Sequence, residues 1–158
     1  MELYLMRHGN ALPTGDRIKT DSDRPLSPEG REGVRAMAAQ LSKAGVHPAR
    51  VLSSPLLRAV ETANLILSCA PPGVVVEAKP ALAPGTGVQK VWRLLRESPE
   101  AESVLIVGHE PDLGHMFRVL LADVVPEDLD FFPPAMICGF SVTDLAFPSA
   151  SYLWVKRP

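Results

Sequence analysis

The segment that decides the fold of this chain is Glu2-Leu3-Tyr4-Leu5-Met6-Arg7-His8-Gly9. Its apolar part predicts a short buried strand, because a run of large apolar residues suits a strand covered on both faces. A loop punctuated by proline and glycine follows, from 10 to 27. In α/β proteins, ligand sites lie beyond the carboxyl ends of the strands. A ligand site is therefore expected at Arg7-His8-Gly9. There the guanidinium can hold an anion, the imidazole can attack an electrophile, and the glycine lets a ligand approach the backbone closely.

Strands and helices alternate along most of the remaining chain. The further predicted strands are 50–53, 74–76, 103–107, 136–143 and 151–155, the last two forming a hairpin-like edge. Each helix is predicted to begin at a capping residue or a first-turn proline. These starts are Ser27-Pro28, Ser54-Pro55, Thr86-Gly87-Val88-Gln89 and Pro111. The alternation predicts an α/β fold, a three-layer α/β/α sandwich with a mostly parallel central sheet, in a single domain from 1 to 158.

Helical spacing gives each predicted helix one apolar face, and we expect these four faces in the core. Their residues are Val34, Met37, Ala38 and Leu41; Leu56, Val60, Ala63 and Leu67; Val88, Val91, Trp92 and Leu95; and Leu113, Met116, Phe117 and Leu120.

The composition is that of an ordinary globular protein. The 158 residues are enough for one sizeable core. The net charge of −2 gives no basic surface, so we expect no binding to nucleic acid or to an anionic membrane. Cys69 and Cys138 lie in apolar surroundings and predict two buried free thiols, which suit a reducing compartment. Because no leader-like N-terminus and no bilayer-length apolar run are visible, we expect a cytoplasmic protein.

Two distant segments repeat the design of a strand followed by a polar cluster and a helix start. One places Arg58 about one turn into its helix, after Ser53-Ser54-Pro55, and the other is Gly108-His109-Glu110-Pro111. Strand ends share one edge of a parallel sheet, so two arginines and two histidines can converge there. The helix N-termini add unpaired N–H groups that favour an anion. Because arginine offers phosphate oxygens a planar pair of donors, the cluster predicts a phosphate pocket.

These residues resemble the signature blocks of the histidine phosphatase (phosphoglycerate-mutase-like) superfamily. The three blocks are Arg7-His8-Gly9; Ser53-Ser54-Pro55-Leu56-Leu57-Arg58-Ala59 with Glu61-Thr62-Ala63; and Gly108-His109. Within the superfamily the chain is most similar to the small SixA-type phosphohistidine phosphatases. That similarity lies in Arg7-His8-Gly9-Asn10-Ala11, Arg24-Pro25-Leu26-Ser27 and Leu82-Ala83-Pro84-Gly85. The resemblance implies a phosphoglycerate-mutase-like fold and a phosphoric hydrolase.

The resemblance also assigns a role to each central residue. His8 would be the nucleophile that becomes phosphohistidine. Arg7, Arg58 and His109 would bind the phosphoryl oxygens and stabilise the transition state. For Asn10 two roles stay open, a contact with phosphate or a cap on the loop. Neighbouring guanidinium groups should lower the pKa of the nucleophile and keep its imidazole neutral, and water would then hydrolyse the phosphoenzyme without metal or cofactor.

Three functions fit the sequence. The segment 81–86 holds no carboxylate, whereas many relatives that act on sugar phosphates carry an acidic proton donor. We therefore expect phosphohistidine on another protein, such as a histidine phosphotransfer domain, because its imidazole leaves readily once protonated. The alternative is a phosphatase of small phosphorylated metabolites that uses Glu110 or the loop carboxylate Asp16 as general acid. The third is a module that binds phosphorylated partners without hydrolysing them.

Other polar residues near the blocks are expected to be structural. Glu61 is predicted to form an ion pair or to hold a loop. Ser53 and Ser54 are predicted to end the strand and to cap the helix, because no nucleophile elbow surrounds them. Arg24 either lines the mouth of the pocket or is a solvated loop cation.

Two further histidines lie outside the blocks. His47 precedes a proline in a connecting loop and is predicted to be solvated. His115 would form a metal site only together with His8 and His109. We do not favour that site, because the spacing of six from His109 is not that of zinc hydrolases.

Overall fold

The computed structural model describes residues 1–97, 99–121, 131–146 and 148–158. Its strands are β1 (Glu2–Arg7), β2 (Arg50–Ser53), β3 (Val76–Ala78), β4 (Ser103–Gly108), β5 (Ile137–Ser141) and β6 (Ser151–Lys156). Its helices are α1 (Pro28–Lys43), α2 (Leu57–Ile66), α3 (Val88–Arg96) and α4 (Asp112–Leu120). Short 3₁₀ turns lie at Asp21–Asp23, Leu67–Cys69 and Pro80–Leu82. Within these residues, strands and helices follow one another in the predicted order.

One sheet joins the strands in the order β3-β2-β4-β1-β5-β6. The neighbours among β3, β2, β4 and β1 run parallel. Strands β5 and β6 pair antiparallel with each other, and β5 also runs antiparallel to β1. The mostly parallel sheet and the hairpin-like edge are therefore both confirmed.

Alternate side chains of the central strands enter two separate cores. Tyr4 and Met6 of β1 pack in the core that α1 and α2 cover. Leu3 and Leu5 of the same strand pack in the core that α3 and α4 cover. These four side chains are at most 2% exposed, and burying a large apolar side chain contributes about 1.5–3 kcal/mol. The two cores make the predicted three-layer α/β/α sandwich, with the sheet as the middle layer.

The first helix forms as its sequence predicts. Ser27 precedes it, and the Ser27 Oγ accepts a hydrogen bond from Gly30 N at 3.0 Å. Pro28 takes the first position, where a missing N–H leaves no bond unmade. Its predicted apolar face is buried: Val34, Met37, Ala38 and Leu41.

The second helix begins later than predicted and turns a different face inward. Leu56 is still extended at ψ 138°, and its N–H donates to Ser54 Oγ at 3.3 Å, so the helix starts at Leu57. Of the predicted face Leu56, Val60, Ala63 and Leu67, Ala63 is buried and Leu67 packs half-buried against the core, whereas Leu56 and Val60 are not among the buried residues. The buried residues are Arg58, Ala59, Thr62, Ala63 and Ile66. The helix is rotated because two polar residues, Arg58 and Thr62, point toward the strand ends rather than to solvent.

The third strand lies two residues later than predicted. Parallel pairing with β2 places Val51 opposite Val76 and Ser53 opposite Ala78. Val75, in the predicted strand, lies before this ladder and is 66% exposed. The register of the neighbouring strand, rather than the apolar run, fixes where β3 begins.

The predicted capping box of the third helix is wrong. Gly87 precedes α3 with a φ of 81°, a conformation that favours glycine. The hydroxyl of Thr86 donates instead to the carbonyl oxygens of Ala81 at 2.6 Å and Ala83 at 2.9 Å. The buried residues of α3 are Val91, Trp92, Leu94 and Leu95, whereas the predicted Val88 is half-buried.

The fourth helix begins at Asp112, one residue after the predicted Pro111. Pro111 is the residue before the helix, with φ −87° and ψ 1°. The predicted apolar face is confirmed: Leu113, Met116, Phe117 and Leu120 are buried.

Both cysteines are buried and unpaired, as predicted. In the described ranges, we find no helix with the length and apolar character needed to cross a bilayer.

Candidate active site

Backbone hydrogen bonds align the carboxyl ends of the three central strands. Arg7 of β1 lies opposite Gly108 of β4, and His8 N donates to Gly108 O at 3.2 Å. Ser54 N donates to Val107 O at 2.9 Å, which extends the alignment to β2. The sheet thus brings residues from all three sequence blocks to one edge.

The imidazole of His8 is buried and held in one orientation. Its Nδ1 lies 2.7 Å from Gly9 O, and because a carbonyl oxygen only accepts, Nδ1 is the nitrogen that carries the proton. Arg58 Nε donates to the other ring nitrogen, Nε2, at 3.2 Å. Burial first, and the positive charges of Arg58 and Arg7 next, lower the pKa of His8 from 6.5 to about 4. The ring is therefore neutral at pH 7, with its lone pair on Nε2.

Gly9 sits where a side chain would not fit. A Cβ there would lie 2.8 Å from Val34 Cγ2 and 3.0 Å from Gly30 O, both on α1. The Gly9 N–H donates to Thr62 Oγ1 of α2 at 3.1 Å, and the Thr62 hydroxyl donates to Arg58 O at 2.7 Å. The residue after His8 is thus fixed against two helices, which explains why the first block ends in glycine.

Arg58 reaches the same site from the first turn of α2 and is 5% exposed. Its guanidinium contacts His8 through Nε, while Nη2 lies 3.5 Å from His109 Nδ1. Arg58 Nη1 donates to Asp21 O at 2.7 Å, and Nη2 donates to Asp21 Oδ2 at 3.0 Å. One planar group therefore connects both imidazoles with the loop that follows β1.

His109 stacks obliquely on His8, with 4.9 Å between the ring centroids. Its Nε2 lies 2.7 Å from Ser54 Oγ. Because Ser54 Oγ already accepts from Leu56 N, its O–H is available to donate to Nε2, and we assign the ring proton to Nδ1. Burial first, then repulsion from His8 in its protonated form and from the Arg58 guanidinium, lower the pKa of His109 from 6.5 to about 3. The Nδ1–H then lies beside Arg58 Nη2, and an anion would satisfy both donors.

Arg7 extends from the end of β1 to the opposite side of the site. Its Nη1 donates to Phe132 O at 2.7 Å, and its Cζ lies 5.0 Å from the ring centroid of Phe131. Within the part of the chain that the structure describes, the buried Nε of Arg7 has no hydrogen-bond partner. Since a buried N–H is rarely left unpaired, Arg7 has a donor to offer to a ligand.

Sequence reasoning missed Asp21. This residue lies in a 3₁₀ turn, and its carboxylate contacts Arg24 Nη1 at 2.9 Å as well as Arg58. Hydrogen bonding to Arg24 first, and then to Arg58, holds the pKa of Asp21 below its usual value against the opposing effect of burial. The acidic pair in Asp21-Ser22-Asp23, just before the Arg24-Pro25-Leu26-Ser27 block, is the only sequence signal that pointed to it.

Arg24 is half-buried at the edge of the site and organises the loop. Its Nε donates to Leu12 O at 2.7 Å, and its charge is among those that lower the pKa of His8. The alternative of a cation at the pocket mouth is therefore better supported than that of a fully solvated one. Asn10 is exposed, and its backbone carbonyl accepts from Ser27 N at 2.9 Å. Its contact with phosphate stays a prediction.

Glu61 has the structural role that we predicted for it. Its Oε1 pairs with Arg31 Nη2 at 2.6 Å, and its Oε2 accepts from Leu26 N at 2.6 Å. It therefore ties α2 to α1 and to the loop before it. Ser53 ends β2 as predicted, but the predicted cap at Ser54 is wrong, because Leu56 is the residue that precedes α2 and no side chain caps the helix. The Ser54 hydroxyl instead accepts from Leu56 N and contacts His109, which the sequence did not reveal.

The two candidate acids lie in different surroundings. Asp16 is exposed in the loop after β1. Glu110 is half-buried, and its Oε1 accepts from Phe132 N at 3.0 Å. Burial raises the pKa of Glu110, against the lowering effect of backbone N–H groups and of Arg7.

The remaining histidines lie away from this cluster. His47 is exposed and its Nδ1 lies 2.7 Å from Cys69 O, while His115 is exposed on α4. Across the described residues, no group of three or more His, Cys, Asp or Glu is arranged to hold a metal ion.

The geometry is that of an anion site with a neutral imidazole beside it. Two guanidinium groups and the Nδ1–H of His109 supply donors, and the neutral His8 supplies a lone pair among them. Such a set suits transfer of a phosphoryl group, whose charge is spread over three oxygens in the transition state. The class of protein that this fold and site define is a phosphoryl-transfer enzyme.

Comparisons with known proteins agree with this class. Residues 3–83 match the model of the histidine phosphatase superfamily (branch 1). The phosphohistidine phosphatase SixA of Escherichia coli (strain K12) is 31% identical over 128 residues, which cover 80% of this chain and 78% of that protein. An uncharacterised protein of Picosynechococcus sp. (strain ATCC 27264 / PCC 7002 / PR-6) is 39% identical over 72% of this chain and 69% of its own length.

A solved structure shows the same fold. The protein histidine phosphatase SixA complexed with tungstate superimposes with a TM-score of 0.85 at 29% sequence identity, covering 98% of this chain and 96% of that one. The chain belongs to the histidine phosphatase superfamily and is a SixA-like phosphatase with a phosphoglycerate-mutase-like fold.

Proposed function

We propose that this chain hydrolyses phosphohistidine on another protein, without a metal, through a covalent phospho-His8 intermediate. The observation that carries the proposal is the state of His8. Its Nδ1–H is tied to Gly9 O and its Nε2 lone pair is directed to the side where Arg58 lies. A neutral imidazole with one fixed nitrogen is a nucleophile ready to attack phosphorus.

The first step forms one bond to phosphorus and breaks one. His8 Nε2 attacks the phosphorus of the substrate, and the bond from phosphorus to the substrate imidazole breaks on the opposite side. A solvent proton on the other nitrogen of that imidazole lets it leave as a neutral ring. Arg7, Arg58 and the Nδ1–H of His109 would hold the three phosphoryl oxygens, which carry the charge in the transition state.

The second step returns the enzyme to its first state. Phospho-His8 keeps the proton on Nδ1, so its ring is cationic, and the bond to Gly9 O stabilises this form. Water attacks the phosphorus, the Nε2–phosphorus bond breaks, and His8 becomes neutral again. The proton lost by the water goes to solvent with inorganic phosphate. No step needs a Lewis acid, because the arginines supply the positive charge.

The surroundings of the pocket support phosphohistidine as the substrate. An alkoxide leaving group needs a general acid, whereas a protonated imidazole does not. The carboxylate that lies closest in the hydrogen-bond network, Asp21, is paired with Arg24 and Arg58, and its pKa is lowered, so it is ionised at pH 7. The names of the SixA relatives point the same way.

A protein substrate is supported by the apolar residues next to the pocket. Phe131, whose ring lies 5.0 Å from Arg7 Cζ, is 57% exposed, and Leu57, which precedes Arg58 in the sequence, is 40% exposed. Such side chains suit contact with a protein surface better than with a sugar. We therefore propose a phosphorylated protein of the histidine phosphotransfer type as partner, and residues 1–158 as one histidine phosphatase domain. The proposed location is the cytoplasm, which the unpaired cysteines support.

One observation favours the alternative, a phosphatase of small phosphate monoesters. Burial raises the pKa of Glu110, as a general acid would need. Its carboxylate, however, accepts from Phe132 N, and the charged groups that shift the pKa values of His8 and His109 do not include it. We therefore place this alternative second.

The test is a comparison of substrates in the presence of a chelator. We expect release of phosphate from a phosphohistidine protein to exceed that from sugar phosphates by at least two powers of ten, and to persist in EDTA. Brief acid-free quenching should trap phosphate on His8, and that phosphate should be stable to base and labile to acid. The variant His8→Asn should abolish both the release of phosphate and its trapping on the enzyme. Full turnover in His8→Asn, loss of activity in EDTA, or a preference for monoesters would overturn the respective part of the proposal.

A further inference from the structure

The catalytic proposal leaves Glu110 without a task, although it follows His109 directly and is half-buried. Its Oε1 accepts a hydrogen bond from Phe132 N at 3.0 Å. Gly114, on the first turn of α4, leaves room for the other oxygen, because a Cβ there would lie 3.1 Å from Oε2. A carboxylate held in this way by backbone groups fixes the segment that it contacts.

The segment that Glu110 holds is the one that holds Arg7. The peptide groups of Phe132 serve both sides: its N–H donates to Glu110, and its carbonyl accepts from Arg7 Nη1 at 2.7 Å. The Phe132 side chain is fully buried and packs edge-on against Phe117 with 5.7 Å between centroids. Glu110 and Arg7 are therefore connected through Phe132, whose side chain is packed in the core.

Arg7 depends on this support more than Arg58 does. Burial lowers the pKa of Arg7, and the charge of Glu110 is the largest effect that opposes it. Within the described residues its Nε has no hydrogen-bond partner. Its hydrogen bond to Phe132 O thus sets the direction in which the remaining donors point.

We propose that Glu110 is a positioning residue: through the peptide of Phe132 it orients Arg7 toward the phosphoryl group. This inference rests on the proposed function, because it assigns Arg7 to the phosphoryl oxygens. It gives Glu110 a task other than proton donation, and the two tasks predict opposite results for the same variant. Glutamine keeps an oxygen that accepts from Phe132 N but has no proton to transfer.

The experiment measures both turnover and the affinity for tungstate, an oxyanion that needs no turnover to bind. For Glu110→Ala we expect tungstate affinity to fall about tenfold, as loss of one orienting hydrogen bond predicts. KM for the phosphohistidine protein should rise by a similar factor, with a smaller change in kcat. Glu110→Gln should stay within about threefold of the wild type in all three. Asp112→Ala, which removes a neighbouring carboxylate that accepts from Gly85 N instead, is the matched control and should leave tungstate affinity unchanged.

A double-mutant cycle separates positioning from a general loss of structure. In an Arg7→Met background, Glu110→Ala should cause no further loss of tungstate affinity, because its effect passes through Arg7. Where Glu110→Ala fails to fold, Glu110→Asp replaces it, since the shorter side chain no longer reaches Phe132 N.

Two results would overturn the inference. One is a kcat of Glu110→Gln as low as that of Glu110→Ala with normal tungstate affinity, which identifies a proton donor. The other is additive loss in the Arg7→Met background. A failure of the proposed function gives a different pattern, in which the wild type binds tungstate but releases no phosphate from phosphohistidine.

Discussion

The two guanidinium groups of the pocket are held in opposite ways. Arg58 pairs with the carboxylate of Asp21, and the side chains are 6% and 58% exposed, respectively. Arg7 is bound by an uncharged carbonyl, that of Phe132. An anion that enters the site competes with Asp21 for Arg58, whereas it meets no competing charge among the groups that bind Arg7 directly. Arg58 is therefore bound to His8 and to a carboxylate that neutralises its charge, whereas no carboxylate of the described residues binds Arg7 directly.

The largest expected effect comes from replacing each arginine by lysine, which keeps the charge and loses the fork of donors. We expect Arg58→Lys to lower kcat/KM about a thousandfold, because it also removes the Nε hydrogen bond to His8. Arg7→Lys should lower it about a hundredfold. Steady-state kinetics on a phosphohistidine protein measures both, with circular dichroism as the check on folding. A greater loss of kcat/KM in Arg7→Lys than in Arg58→Lys would contradict this expectation.

The next effect concerns the pH dependence of stability. In the unfolded chain His8 has an ordinary pKa of 6.5, whereas in the folded protein its pKa is about 4. The unfolded state therefore binds more protons between these values, and the free energy of unfolding should fall as pH drops from 6.5 to 4, by about 3 kcal/mol for this group. Urea unfolding at a series of pH values checks this, and His8→Asn should flatten the slope.

The same histidine also shows which arginine governs it. NMR titration of the His8 ring should give a higher pKa in Arg58→Met than in Arg7→Met. The reason is that the charge of Arg58 lowers the pKa of His8 more than the charge of Arg7 does. Equal pKa shifts in the two variants would show that Arg58 and Arg7 affect the pKa of His8 equally.

The smallest expected effect is a gain. Asp21→Asn keeps a hydrogen-bonding side chain at Arg58 but removes the competing charge, so tungstate should bind about two- to fivefold more tightly. That change corresponds to about 0.4–1 kcal/mol, within the range of a solvent-exposed ion pair. Isothermal titration calorimetry at low salt is the measurement. Asp16→Asn, in the same loop but exposed and outside the contacts of Arg58, is the control that should bind as the wild type does.

The sequence was sufficient for residues that come from the ends of regular elements. Arg7, His8 and His109 follow central parallel strands, and topology alone brings such positions together. Arg58 was placed correctly although the buried face of its helix was not. Hydrophobic periodicity assumes that polar residues point to solvent, and α2 departs from that assumption because Arg58 and Thr62 are buried.

The residues that the sequence could not assign come from loops and act through their backbone. Asp21 binds Arg58 partly by its carbonyl oxygen, and Phe132 binds Arg7 by its carbonyl alone. Every residue has a backbone carbonyl, so the identity of a residue does not indicate that its carbonyl binds a site residue. Ser54 shows a related limit, because its hydroxyl accepts from Leu56 N and also contacts His109, which lies 55 residues away in the sequence.

The peptide of His8 is bonded on both sides, by its N–H to Gly108 O and by its carbonyl from Ala135 N at 3.1 Å. Strand β4 on one side and the turn before β5 on the other thus hold the backbone of His8, which cannot unfold without breaking these hydrogen bonds. Its amide hydrogen should exchange with solvent only on the slow timescale of the whole sheet opening. The backbone at His8 should then stay folded for as long as the sheet does. On heating, we expect phosphatase activity and sheet structure to be lost in a single transition.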